Sequence, residues 1–301
     1  MRVLDRALSM ALPFVPRSIV GRFSRRYIAG STVDDALRVV RDLRQQGALA
    51  TLDILGEFLS TREEAEAATR AHEDLFRRIA AEKIGETNVS IKLSALGLTI
   101  DRQLCLDNMR RLMKVVAEHD NFLRIDMEDS PWTSATLGIY RTLRAEHPGR
   151  VGVAIQSRLR RTLDDVDDLT TEPSNFRLCK GIYLEPRSVA YTDFDLIRRN
   201  FVAALDRMFE RKAYVGIATH DEVLVWEGMR LVRKHGLRRE QYEFQMLLGV
   251  DEELRGLILR EGHRLRVYVP FGEHWYPYSV RRLRENPEIV GHAFRALFKR
   301  A

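Results

Sequence analysis

Between residues 48 and 270 short apolar runs alternate with amphipathic stretches, over and over, and this alternation limits the fold more than any other feature of the chain. Strand-like runs are expected at Ala50–Leu55, Asn88–Leu93, Phe122–Met127, Val151–Ile155, Phe176–Lys180, Tyr214–Ala218, Tyr242–Met246 and Leu265–Val269. Helical periodicity fills the intervals, at Arg62–Lys83, Asp101–Glu118, Trp132–Glu146, Thr162–Leu169, Phe194–Arg211, Glu222–His235 and Asp251–Glu261. Apolar runs joined by helical crossovers are the pattern of a parallel sheet buried on both faces. Eight such runs, with no Pro/Gly/Ser-rich linker among them, predict a single (β/α)8 barrel of the TIM type over residues 48–301. A doubly wound open sheet is the competing arrangement.

Residues 1–47 read as a helical arm. Leu4, Leu8, Leu12 and Phe14 form a first apolar stripe, Ile19, Phe23, Tyr27 and Ile28 a second, with arginines between them and Pro13 and Pro16 separating the two. A third helix is expected over Val33–Gln46, capped by Ser31 or Thr32. The segment only weakly imitates the n- and h-regions of a signal peptide, and no convincing cleavage site follows, so a helical arm is the expectation. A basic amphipathic arm either packs on the domain or lies on an anionic membrane.

Composition excludes several classes. The 301 residues are 45% hydrophobic and 31% charged, which suits one large folded domain and rules out wholesale disorder. A net charge of +6, with both signs interspersed, does not indicate nucleic acid. Cys105 and Cys179 offer neither a disulfide framework nor a CxxC site, which fits a reducing cytoplasm. No apolar run is long enough to span a bilayer.

Polar residues then gather where each strand should end. Gly56 and Glu57 follow the first run; Lys92 and Ser94 end the second, and Asp126, Glu128 and Asp129 the third. Gln156 and Arg158, then Arg177, Lys180 and Tyr183, follow on the fourth and fifth. Thr219, His220 and Asp221, Gln245, and Gly272-Glu273-His274 complete the ring. Barrel enzymes build their sites on the carboxyl ends of the strands, so the ring predicts an enzyme.

Several chemistries fit it. Asp126, Glu128, His220, Asp221 and His274 have the donors of a divalent-metal hydrolase, although Lys92 and Arg177 would repel a cation. Lys92 or Lys180 would form a Schiff base if desolvated, as in a barrel lyase. No GxGxxG or Walker loop follows a strand, which argues against a dinucleotide fold. The last unit speaks to the substrate. Arg281 and Arg282 project about 100° apart on a helix and suit a small carboxylate, while Tyr268, Trp275, Tyr276 and Tyr278 offer an aromatic wall for an apolar ring.

Six motifs carry a family resemblance: Ser90-Ile-Lys92-Leu-Ser, Arg124-Ile-Asp126-Met-Glu-Asp129, Arg177-Leu-Cys-Lys180-Gly-Ile-Tyr183, Ala218-Thr-His220-Asp221, Tyr242-Glu-Phe-Gln245-Met-Leu-Leu-Gly249 and Tyr276-Pro-Tyr278-Ser-Val-Arg281-Arg282. Together they resemble the flavin-dependent proline dehydrogenases, in the short monofunctional bacterial form, from about Leu52 to Arg284. The resemblance implies a distorted barrel holding FAD, which oxidises L-proline to 1-pyrroline-5-carboxylate and passes electrons to a membrane quinone. It also implies a cytoplasmic protein that touches the inner face of the membrane through its N-terminal helices, with a 1-pyrroline-5-carboxylate dehydrogenase as a partner. A related amine dehydrogenase acting on hydroxyproline is the neighbouring alternative.

Residue by residue, the resemblance assigns Lys92, Arg281 and Arg282 to the proline carboxylate. Tyr183, Leu247, Tyr268 and Tyr278 would wall the ring. Asp126 would pair with Lys92 and position the amine, and Arg177 would stand beside flavin N5. Met127, Gln156, Lys180, Gly181, Ile182, Thr219 and His220 would contact the rest of FAD, and Glu57 would gate the site by pairing with Arg281. Ile182 departs from the family pattern, which favours a smaller residue there. A surplus of cations in such a site is expected to favour the neutral amine from which hydride leaves.

Overall fold

A computed structural model describes residues 21, 24, 26–56, 59–170, 172–276 and 278–280. Eight parallel strands close into a barrel in chain order, and the pairing of the last strand with the first decides against an open sheet. The strands are β1 (Leu49–Ile54), β2 (Asn88–Ile91), β3 (Leu123–Ile125), β4 (Val151–Gln156), β5 (Asn175–Cys179), β6 (Tyr214–Ala218), β7 (Tyr242–Leu247) and β8 (Leu265–Phe271). Helices α1 (Val33–Gln45), α2 (Arg62–Ala81), α3 (Arg102–Glu118), α4 (Ser130–Glu146), α5 (Thr162–Leu169), α6 (Phe194–Glu210), α7 (Glu222–Lys234) and α8 (Glu252–Arg260) surround them.

Local chemistry sets the helix starts. Thr32 and Thr61 accept from the amides of Asp35 and Glu64, whose carboxylates accept in return from the cap amides, so α1 and α2 each begin on a capping box. Asp101, Asp193 and Asp251 cap α3, α6 and α8 with one carboxylate each. Asp251 was expected inside its helix; its φ of +44° places it just before, as the cap.

Two strands are shorter than the sequence suggested. β2 stops at Ile91, because Leu93–Leu96 turns into a 3-10 helix that buries all four of its residues. β3 keeps only Leu123–Ile125, and Asp126 and Met127 leave the ladder toward the barrel mouth.

Strand alternation sorts the side chains. Leu52, Val89, Ile125, Val153, Phe176, Ile217, Phe244 and Val267 face the helices and form the main core. The opposite face fills the barrel with polar side chains rather than with the layers of branched aliphatics common in this fold. Small inward residues on β4 and β6 make that possible. A Cβ on Gly152 would lie 2.3 Å from Arg124 Nη1, and one on Gly216 would lie 2.4 Å from Gln245 Nε2.

Residues 26–30 reach the barrel mouth. Ala29 donates to the carbonyl of Pro270, and Tyr27 and Ile28 pack with Leu55 and Tyr278 in a small second core. The two amphipathic stripes of the N-terminal arm lie largely outside the described residues.

Candidate active site

The carboxyl ends of the strands surround a cavity of about 630 Å³. Lys92, Asp126 and Met127 enter it from β2 and β3, Gln156 from β4, Arg177 and Lys180 from β5. Gly181, Ile182 and Tyr183 line it from the turn after β5, Thr219 and His220 from the end of β6. Leu247, Tyr268 and Tyr278 close the remaining side. The expected site residues that are described therefore share one cavity. Glu57, Arg281 and Arg282 lie outside the described residues.

A charged cluster forms the cavity floor. Arg177 Nη1 donates to Asp126 Oδ1 and, at 2.9 Å, to Ser90 Oγ, while its Nε donates to Gln245 Oε1 at 2.6 Å. Tyr268 donates to Asp126 Oδ2 at 2.8 Å, and its ring lies 5.1 Å under the Arg177 guanidinium. Desolvation pushes the Tyr268 phenol well above its ordinary value, so it remains a donor at neutral pH.

Lys92 shows where sequence reasoning fell short. Its Nζ lies 3.2 Å from both carboxylate oxygens of Asp53, whereas Asp126, the expected partner, is 4.0 Å away. Burial raises the pKa of Asp53, and Lys92 works against that rise. Asp53 was overlooked because it sits within an apolar strand rather than at its end; the alternation Thr51-Leu52-Asp53 was the available signal. On the floor Lys92 and Arg177 are matched by Asp53 and Asp126, while Arg281 and Arg282, the other members of the expected surplus of cations, lie outside the described residues.

A second group lies at the side of the cavity. Asp221 accepts from Lys180 Nζ at 3.0 Å and from Arg198 Nε at 2.8 Å. Burial would raise this carboxyl, but the hydrogen bonds and charges of Arg198 and Lys180 outweigh it and hold the group below its usual range. His220 Nε2 accepts from the Leu247 amide at 3.0 Å, fixing the ring beside the end of β7. Gln156 donates to the Glu128 carbonyl at 2.7 Å, and Gly181, at φ +94°, leaves the space that its amide oxygen fills.

Several expected ring members face elsewhere. Glu128 turns to Ser94 and accepts from its amide and hydroxyl. Trp275 packs with the second small core and edge-on to Tyr276, so the aromatic wall reduces to Tyr268 and Tyr278, with Tyr183 across the cavity. A larger cavity, of about 760 Å³, opens at the amino ends of the strands among Arg124, Glu243, Arg264 and Arg266. Barrel chemistry belongs to the opposite face.

The arrangement discriminates among chemistries. Each lysine in the site is held by a carboxylate, unlike the isolated apolar setting that makes a lysine nucleophilic. Asp126 and Asp221 each face cationic donors and do not converge on a shared point. Desolvation pushes the Cys179 thiol up to about 11, which removes it as a thiolate. What remains is a pocket with cations held in place, an oriented carboxylate and a phenol over a guanidinium.

The sequence profile described as Proline dehydrogenase matches residues 36–293. The chain belongs to the proline dehydrogenase family. It is 35% identical over 289 residues to the proline dehydrogenase of Deinococcus radiodurans, covering 94% of this chain and 92% of that protein. It is 33% identical over 275 residues to proline dehydrogenase 2 of Bacillus subtilis, covering 91% and 90%. Among solved structures, proline utilization A from Bdellovibrio bacteriovorus, inactivated by N-propargylglycine, superposes with a TM-score of 0.82 at 26% identity. That match covers 87% of this chain and 32% of the larger one. Family membership makes the chain an oxidoreductase of the proline dehydrogenase class, and the barrel is the fold it shares with that neighbour. Among the described residues, no helix is long and apolar enough to cross a membrane.

Proposed function

We propose that the cavity takes FAD and L-proline together, and that the chain oxidises L-proline to 1-pyrroline-5-carboxylate with transfer of electrons to a membrane quinone. The observation that carries this reading is the cluster of Lys92, Asp126, Arg177 and Tyr268 in one cavity with the Lys180–Asp221–Arg198 group. The cavity residues fit FAD by their chemistry. Lys180 and Arg198 are cations suited to a pyrophosphate, and Gln156 and Arg177 to the polar edge of the isoalloxazine. Met127 and Leu247 are apolar contacts for the ring, and Gly181, lacking a Cβ, permits close approach. Ile182, Thr219 and His220 complete the contacts.

Bound FAD would supply the redox chemistry, as the acceptor of the hydride from proline. The protein's part is orientation. Arg177, clamped through Nε and Nη1, would meet the flavin with a fixed orientation. Lys92, pinned by Asp53, would face the substrate carboxylate alongside Arg281 and Arg282. Asp126, held through one oxygen by Arg177 and through the other by Tyr268, accepts from the amine with a remaining lone pair. Tyr183, Leu247, Tyr268 and Tyr278 exclude water around the pyrrolidine ring. Glu57 would close the mouth onto Arg281. A 1-pyrroline-5-carboxylate dehydrogenase is the partner that consumes the product, and the basic N-terminal arm is the contact with the inner face of the membrane.

The test is an anaerobic visible spectrum of the purified protein before and after L-proline. Bleaching of a flavin band by proline, and not by hydroxyproline, is the expected result, with N-propargylglycine inactivating the enzyme as it does the Bdellovibrio protein. A yellow protein indifferent to proline reopens the substrate. A colourless protein that takes up no added FAD overturns the reading.

A further inference from the structure

The Arg177 clamp does not end at Arg177. Gln245 Oε1 receives the Arg177 Nε–H at 2.6 Å, and Gln245 Nε2 donates at 2.6 Å to Glu243 Oε1. That same oxygen accepts from Arg266 Nε at 2.7 Å, and Arg266 Nη1 is tied to the carbonyls of Ala50 and Glu86 at 2.8 and 2.6 Å. A continuous chain of hydrogen bonds thus runs down the inside of the barrel, from the cavity floor to the amino ends of the strands. Arg177, Glu243, Gln245 and Arg266 are all buried.

The chain has a direction that only one orientation of the Gln245 amide satisfies. With the amide reversed, its NH2 would meet the Nε–H of Arg177, donor against donor. Its oxygen would meet the Glu243 carboxylate, acceptor against acceptor. Glu243 is kept anionic for this purpose: burial would raise its carboxyl, but Arg266 and the other donors around it bring it below its usual range. Gly216 supplies the room, since a Cβ there would lie 2.4 Å from Gln245 Nε2 and 2.7 Å from Cδ.

We propose that Gln245 is a positioning residue for Arg177, its amide polarised and locked by the Glu243–Arg266 pair so that the guanidinium presents a fixed edge to the cavity. Without the Nε contact, the guanidinium keeps Asp126 and Ser90 on a single nitrogen and gains freedom to rotate about it. The consequence falls on the redox step rather than on proline capture, because Lys92 and the carboxylate contacts are untouched. The inference rests on the FAD-dependent reading above.

Gln245→Met, which preserves length without the amide, is compared with wild type by anaerobic stopped-flow and by the midpoint potential of the bound flavin. The expected result is flavin reduction at saturating proline slowed about tenfold, KM changed less than twofold, and a more negative potential. In an Arg177→Ala background the same substitution should have no further effect on either rate or potential, because coupled residues lose their separate contributions. Gly216→Ala, which displaces the Gln245 side chain without altering it, should reproduce the slower reduction and covers the case in which Gln245→Met does not fold. A Gln245→Met or Gly216→Ala enzyme with wild-type reduction rate and potential overturns the inference. So does an equal loss with and without Arg177. Wild-type protein that binds no FAD defeats the underlying reading instead, so the two failures are distinguishable.

Discussion

Asp53 and Lys92 face each other inside the barrel, with the ammonium nitrogen 3.2 Å from both carboxylate oxygens and both side chains almost entirely buried. The pair joins neighbouring strands β1 and β2 and fixes the position of the ammonium group in the cavity floor. A buried pair gains little over an apolar one, but losing one partner strands the other charge.

Asp53→Asn should therefore lower stability by about 3 kcal/mol, read by urea unfolding, and raise KM for proline as Lys92 moves. Adding Lys92→Met should recover most of the lost stability while leaving proline binding weak. A single Asp53→Asn variant as stable as wild type would show that Lys92 finds an adequate partner in Asp126.

Gly181→Ala probes the turn after β5. The residue has φ +94°, and a Cβ would lie 2.5 Å from Gln156 Oε1 and 3.2 Å from its Cβ. Left-handed strain of roughly 1–3 kcal/mol and a displaced Gln156 should together weaken FAD retention by at least tenfold in fluorescence titration. Unchanged FAD affinity would mean that Gln156 yields at no cost to the cofactor site.

His72 supplies a pH dependence. It is buried in α2 with Nδ1 2.7 Å from the Ala68 carbonyl, and burial lowers its pKa to about 4. The unfolded chain titrates this group near 6.5 and takes up the proton first, so stability is full above that pH and falls as pH drops from 6.5 to about 4. The loss across the window is about 3 kcal/mol. Urea midpoints at pH 7.5 and 5 should diverge less in His72→Gln than in wild type; equal divergence would assign the acid sensitivity to other groups.

Asp221→Asn tests the cavity side. The carboxyl is held below its usual range by Arg198 and Lys180, so its contribution is present above about pH 4 and disappears as pH falls through the folded value. Because both cations are partly exposed, neutralising it should cost only about 1 kcal/mol. The larger effect should be on FAD affinity, as Lys180 and Arg198 lose their anchor. Calorimetric titration of the apoprotein with FAD measures it, and an unchanged affinity would free both cations from that role.

Much of this protein was legible without coordinates. The short apolar runs and helical crossovers dictated eight βα units, and the positions of Gln156, Arg177 and Tyr268 within or just after those runs were enough to place them on strands that end in one mouth. The cap expected at Ser31 or Thr32 set the start of α1, which the structure caps at Thr32. These features depend on neighbours in sequence, so sequence determines them.

Partner choice inside the barrel does not depend on neighbours in sequence. That Lys92 takes Asp53 before Asp126, that Arg177 reaches Gln245 across 68 residues, and that Gly152 and Gly216 clear space for Arg124 and Gln245 all follow from the stagger of eight strands at closure. A shift of one residue in register would exchange the inward and outward sets. Only the closed sheet, with its pairing of β8 to β1, decides which charges meet, because in a low-dielectric interior the nearest partner within an ångström determines each one's state.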